Sequence, residues 1–196
     1  DRPEWVAVHP HEPMVFCTLT NNKNRGVKEG QSVNSANPRA ENHYGQIVRW
    51  VPTGGQHTAG DFKWDLFVLA GNPAVHAGTP YAGSSNITTE NMFNSPDGIG
   101  FDQAGRLWIQ SDGNYSNQGD FAGQGNNQML CADPKTGEIR RFLTGPVACE
   151  ITGLSFTPDQ KTLFIGVQHP GEELEPSHFP FGGDSIPRSS VMVITR

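Results

Sequence analysis

Short apolar–polar alternation, broken every few residues by glycine, proline or asparagine, runs through almost the whole chain. A period of two marks half-buried strands, and nowhere does the three-to-four spacing of an amphipathic helix persist. Ile99-Gly-Phe101 leads through Asp102-Gln-Ala-Gly105 to Leu107-Trp-Ile109, which predicts a hairpin. The same shape recurs from Val6-Ala-Val8 through His9 to Pro13 into Met14-Val-Phe16. It recurs again from Leu154-Ser-Phe156 through Thr157 to Lys161 into Leu163-Phe-Ile165. Residues 46–50 are expected to pair with 64–68, and residues 128–131 with 138–142 across the turn Asp133-Pro-Lys-Thr-Gly137. Val191-Met-Val-Ile194 adds one more strand.

The repeating unit is four strands, over about residues 1–70, 95–145 and 150–196, the last unit one strand short. Repeated four-stranded meanders of this length are the signature of a β-propeller. A sandwich would show similar strands without repeating one turn grammar three times. Two units and most of a third fall short of a ring of about 4–8 blades. The expected fold is therefore all-β, a partial β-propeller of about three blades. Its missing strand would come from elsewhere in the polypeptide, and its open edges would invite self-association. Two insertions, Lys23–Asn42 and Gly71–Asn94, are long enough to be functional or disordered loops.

Composition narrows the classes. Among 196 residues, 14 Lys+Arg face 20 Asp+Glu for a net charge of −6, which argues against a nucleic-acid partner. No apolar run reaches the roughly 18 residues of a helical membrane span. Glycine (23) and proline (15) fit many tight turns. The chain opens on Asp1, as a mature product or a piece of a longer chain would. Cys17, Cys131 and Cys149 are odd in number and form no CxxC pair, so they read as core thiols. Serine-elbow, phosphate-loop, HExxH and dinucleotide motifs do not occur in the sequence.

The first strand of each unit begins with an acid: Glu4 before Val6, Asp97 before Ile99, Glu150 before Leu154. Even offsets keep all three on one strand face if the strands run regularly. First strands line a propeller's channel, so the carboxylates would converge there; alternatively each is a turn cap. Second strands return to the same rim, bringing Asn21 and Asn22, Asp112 with Asn114, and Gln168 with His169. Glu4, Asp97, Asp112 and Glu150 are thus candidate metal ligands, with Asn114 and His169 near substrate or behind the ligands. Carboxylates with amides suit calcium, and a carboxylate-rich cluster also suits ferric iron. Asp112-Gly-Asn-Tyr-Ser-Asn117 lacks the spacing and closing Glu of an EF-hand. Arg2 shares the face of Glu4, as a phosphate clamp or as the partner of a carboxylate. His9 and His11 fall in the far turn, roughly 15 Å from this rim, and are expected on the surface.

Asp1-Arg-Pro-Glu-Trp5, Asn42-His-Tyr-Gly-Gln46 with Arg49-Trp50, Ser95-Pro-Asp-Gly98 with Gly105-Arg-Leu-Trp-Ile109, Glu150-Ile-Thr-Gly153, Phe156-Thr-Pro-Asp159 and Gln168-His-Pro-Gly-Glu172 span the chain. Together they resemble the C-terminal part of PhoX-type alkaline phosphatases. That resemblance implies a six-bladed propeller with an iron and calcium cluster in its channel. It also implies a periplasmic or extracellular protein that hydrolyses phosphate monoesters. Glu4 then looks like a metal ligand and Arg2 like the phosphate-contacting arginine, the two catalytic residues. A missing N-terminal half would supply further ligands, including a cysteine thiolate, so the piece alone is expected to be inactive. The alternatives are a calcium-dependent lactonase-type propeller, suggested by Ser95-Pro-Asp-Gly98, and a non-catalytic binding propeller.

Overall fold

Among the described residues, 1–174 and 176–195 of a computed structural model, eleven strands form three antiparallel sheets and no α-helix. Glu175 and Arg196, the latter the expected end of the third unit, lie outside the described residues. The first sheet holds β1 (Pro3–Val8), β2 (Val15–Leu19), β3 (Gln46–Pro52) and β4 (Phe62–Leu69) in chain order. The second holds β5 (Pro96–Phe101), β6 (Leu107–Ser111), β7 (Gln128–Ala132) and β8 (Ile139–Thr144), again in order. The third has β9 (Glu150–Phe156), β10 (Thr162–Gln168) and β11 (Ser190–Thr195). Met14 and Glu138, expected in strands, stand just outside them.

Strand alternation builds two apolar layers. Leu107, Ile109 and Leu130 face the first sheet, meeting Phe16, Ile47 and Phe67. Trp108 and Met129, one residue out of phase, face the third sheet and meet Ile151, Leu163 and Ile165. Each such side chain contributes about 1.5–3 kcal/mol by leaving water. The middle sheet is thus clamped from both sides. The β5–β6 turn shows how local chemistry fixes register. Buried Asp102 accepts from Ala104 N and Arg106 N at 3.0 Å each, from Arg106 Nε at 2.7 Å and from Trp108 Nε1 at 3.0 Å.

The starting strands lie side by side, β1 against β5 and β5 against β9. Thr18, fully buried, donates to Asp97 O at 2.7 Å, and Gln110 donates to Gly153 O at 2.8 Å. These bonds tie the sheets together where the acidic residues begin.

Both insertions are structured. Arg39, 2% exposed, donates to Ala70 O at 2.6 Å and Gly45 O at 2.5 Å, with its guanidinium over the Tyr44 ring. Burial lowers its pKa to about 10, so it stays charged at neutral pH. His9 departs from expectation: it is buried, not on the surface. Its Nδ1 accepts from His11 N at 3.1 Å and Glu12 N at 3.0 Å, and its ring meets Phe101 edge-on at 5.0 Å. The Nδ1 bonds close the β1–β2 turn, and the ring fills the seam to the second sheet.

Candidate metal centre

Three carboxylates come together at one rim. Ligand oxygens of Asp97 on β5, Asp112 just after β6 and Glu150 opening β9 all lie within 4.8 Å of one another. The even-offset argument does not explain this. Both β1 and β5 carry one extra residue relative to their partners, between Pro3 and Val6 and between Pro96 and Ile99. β9 carries its own at Gly153, whose φ is +60°. Bulges bend a strand and re-aim its side chains, so the acids of β1 and β5 sit within irregular backbone rather than on a continued face.

Electrostatics records the crowding. Asp97 is pushed up to about 6, first by burial, then by Glu4, Glu150 and Asp112, against the opposing pull of Arg2. Burial likewise raises Asp112, with His169 acting against it, and raises Glu150, to which Asp112 adds. Carboxyls raised by burial and by one another gain most from a multivalent cation, which replaces repulsion with attraction. Hard oxygen donors of this kind suit calcium and ferric iron. The donor set therefore fits such ions.

The other candidates flank this trio. Glu4 is exposed and stands outside the group of three, yet it is the strongest neighbouring charge acting on Asp97. Arg2 donates from Nε to Asn21 O at 3.0 Å and from Nη2 to Asn21 Oδ1 at 3.2 Å. Among the described residues no carboxylate lies within 4.0 Å of it, so the ion-pair reading of Arg2 is not what the geometry holds. His169 has φ of 36°, with its N–H bonded to Ser189 Oγ at 2.9 Å. Its Nε2 is 3.6 Å from Glu150 Oε2 and its Nδ1 3.5 Å from Glu172 Oε2. Asn114 accepts through its side-chain oxygen from Ser116 N at 2.8 Å, within its own turn.

The cysteines are free and stand apart from this chemistry. Burial raises Cys131 to about 11 and Cys149 to about 12, and raises Cys17 as well. Cys149 precedes Glu150 in the chain, but its thiol packs in the second apolar layer.

Sequence reasoning brought Gln168 and Asn21 to this rim without seeing what they hold, and passed over Asn94, Ser95 and Asn127. Gln168 Nε2 donates to Glu150 Oε2 at 2.7 Å, holding that carboxylate from the neighbouring strand. Asn94, Ser95 and Asn127 surround the rim with neutral hydrogen bonds, Ser95 accepting from Asn21. Their only signal was position, directly beside strand ends, in stretches whose Asn content reads as ordinary turn.

Comparison with known proteins places these features in context. The family model described as "Alkaline phosphatase PhoX" matches residues 1–171. The solved structure of Pseudomonas fluorescens PhoX in complex with vanadate, a transition state analogue, is 65% identical with a TM-score of 0.97; it covers 100% of this chain and 34% of that one. This chain thus spans about a third of that protein's length. A gluconolactonase from Xanthomonas campestris, XC5397, is 16% identical with a TM-score of 0.45, over 87% of this chain and 42% of that one. No curated protein matches the chain.

Proposed function

The chain belongs to the PhoX family of alkaline phosphatases, and from that premise we propose that it is the C-terminal part of a longer, metal-dependent phosphomonoesterase. In this reading it contributes about three of six propeller blades, and the rest of the polypeptide completes both ring and cluster. The setting is periplasmic or extracellular, and the isolated piece is inactive. The observation that carries the reading is the juxtaposition at the rim: three carboxylates within 4.8 Å of one another, with Arg2 acting on Asp97 and, among the described residues, bonded to the neutral oxygens of Asn21. The relative's complex with a transition state analogue supports phosphoryl chemistry, since such analogues bind where the transition state is stabilised.

Asp97, Asp112 and Glu150, with Glu4 beside them, would hold calcium or ferric iron. When bound, such ions neutralise charge on phosphoryl oxygens. Arg2 binds and orients the ester's phosphate. Its guanidinium is fixed on one edge by the Asn21 carbonyl and carboxamide oxygens, leaving the planar fork to meet phosphate oxygens. Gln168 holds Glu150 in its ligating orientation. His169, with one ring nitrogen 3.6 Å from Glu150 Oε2 and the other 3.5 Å from Glu172 Oε2, would stand behind the ligating Glu150.

The test is hydrolysis of p-nitrophenyl phosphate by the full polypeptide that carries this chain, replete with calcium and iron. The expected result is phosphatase activity that falls about 100-fold or more in Arg2→Ala and in Glu4→Ala, the scale of losing a transition-state charge contact. Absence of phosphate release from the metal-replete protein, or lactone hydrolysis in its place, would overturn the assignment.

A further inference from the structure

Asp112 stands on the segment that leaves β6, beyond the last residue held by the strand ladder. Three like charges within 4.8 Å repel, and the least costly relief is for such a segment to swing away. Two buried asparagines prevent this. Asn127 Oδ1 accepts from Gly113 N at 2.8 Å and Ser111 Oγ at 2.9 Å, while its Nδ2 donates to Gly113 O at 3.0 Å and Cys149 O at 2.9 Å. Asn94 Oδ1 accepts from Asn114 N at 2.9 Å and Ser95 Oγ at 3.0 Å. Its Nδ2 donates to Asn114 O at 3.1 Å and Gln124 Oε1 at 2.7 Å. Both side chains are 4% exposed, and each uses its full capacity of two donors and two acceptor sites.

Together the two carboxamides bond the N–H and the C=O of both residues after Asp112, as a neighbouring strand would. Asn127 goes further: Cys149 precedes Glu150, so one side chain ties the backbone beside two of the three carboxylates across two sheets. Close approach is built in. A Cβ on Gly113 would meet Asn94 Oδ1 at 1.8 Å and Ser95 Oγ at 2.6 Å, so only glycine permits the Asn94 contact. Ser95 O also accepts from Asp112 N at 3.1 Å, and Ser95 Oγ accepts from Asn21 Nδ2 at 2.8 Å. Asn21 in turn holds Arg2.

We propose that Asn127 and Asn94 are positioning residues that hold Asp112 and Glu150 at cation-gripping separation, with Asn21 extending the same seam to Arg2. This rests on the reading of the trio as a cation site. Groups behind metal ligands typically contribute 10–100-fold to affinity. The seam does so by pre-organising repelling ligands before the cation arrives.

Calcium titration of the chelator-treated full polypeptide tests this, together with thermal unfolding. Asn127→Leu and Asn94→Leu are expected to weaken calcium binding by about tenfold or more. Asn127→Ala, smaller and uncharged, loses the same four bonds, is expected to weaken binding likewise, and serves if the leucine variant does not fold. Asn91→Leu is the matched control. Asn91 is a buried amide bonded to Asn86 O at 3.0 Å and Ile139 O at 2.8 Å, and its loss should lower stability while leaving calcium affinity within about twofold. Wild-type affinity in the Asn127 and Asn94 variants, or an equal loss in Asn91→Leu, would overturn the positioning role alone. A wild-type protein that binds no calcium would overturn the cation reading beneath it.

Discussion

His9 shows how a single side chain can carry a pH dependence far from the rim. Burial holds its pKa below the usual 6.5, with His11 and Lys135 pressing the same way and Glu12 opposing. Because the folded state favours the neutral ring, the unfolded chain binds more protons between the folded value and 6.5. The His9 contribution is therefore complete above 6.5 and is lost as pH falls through 6.5 toward the lower folded value. Between about pH 7.5 and about pH 5.5 the thermal midpoint of wild type is expected to fall relative to that of His9→Gln, since the opposite contribution of the raised rim carboxyls is common to both. An unchanged slope in the variant would contradict the assignment. At this scale the shared rim of Asp97, Asp112 and Glu150 was legible in the sequence as strand starts and hairpin returns, but the bulges that aim them were not, and Glu4 stands outside their group. His9 was not legible, because a turn histidine gives no hint that its nitrogen closes that turn and its ring fills an inter-sheet seam. Asn94 and Asn127 were equally hidden, since a carboxamide that clamps backbone is written with the same letters as one that merely turns it.

Strands and loops carry the next level. All three hairpins and both outer pairs were legible, because period-two alternation and turn chemistry report local pairing directly. The bulges were not. The extra residue in β1 lies within Glu4-Trp5, and nothing in the local pattern marks it. The insertion 23–42 acquires a purpose only in three dimensions. The Asp1 carboxyl is fully buried, paired with Arg25 Nε at 2.9 Å and accepting from Asn42 at 2.6 Å and Gln46 at 3.2 Å. This loop therefore anchors the residue directly before Arg2. Arg25→Met leaves a buried charge without its cation, which typically costs about 3 kcal/mol of stability. It should also raise KM for p-nitrophenyl phosphate by about tenfold in the full polypeptide, with kcat and calcium content changing much less. Unaltered KM in a folded variant would show that the insertion does not position Arg2.

Across the whole molecule, the two outward faces differ from the two internal layers. Trp5, Val6 and Val8 on β1 and Phe62 and Trp64 on β4 remain exposed, as do Val191 and Val193 on β11. On the proposed reading of the chain as part of a longer polypeptide, the rest of that polypeptide would cover these faces and pair a fourth strand with the edge strand β11. Three antiparallel sheets of four, four and three strands were legible from the count of units, whereas ring size is not written in any one of them, since each unit reports only its own strands. The central claim is that sheets two and three together form one cation grip. Its most direct test is thermal unfolding of the chelator-treated full polypeptide with and without added calcium, in wild type and in Asp97→Asn/Asp112→Asn/Glu150→Gln. A ligand that binds only the folded state raises the midpoint, by about 2.7 kcal/mol of stability at 100 times its Kd. Wild type should therefore show a clear calcium-induced rise. The triple variant should show little or none, and should unfold at or above the wild-type midpoint without calcium because its repulsion is gone. A full calcium response in the triple variant would contradict the claim.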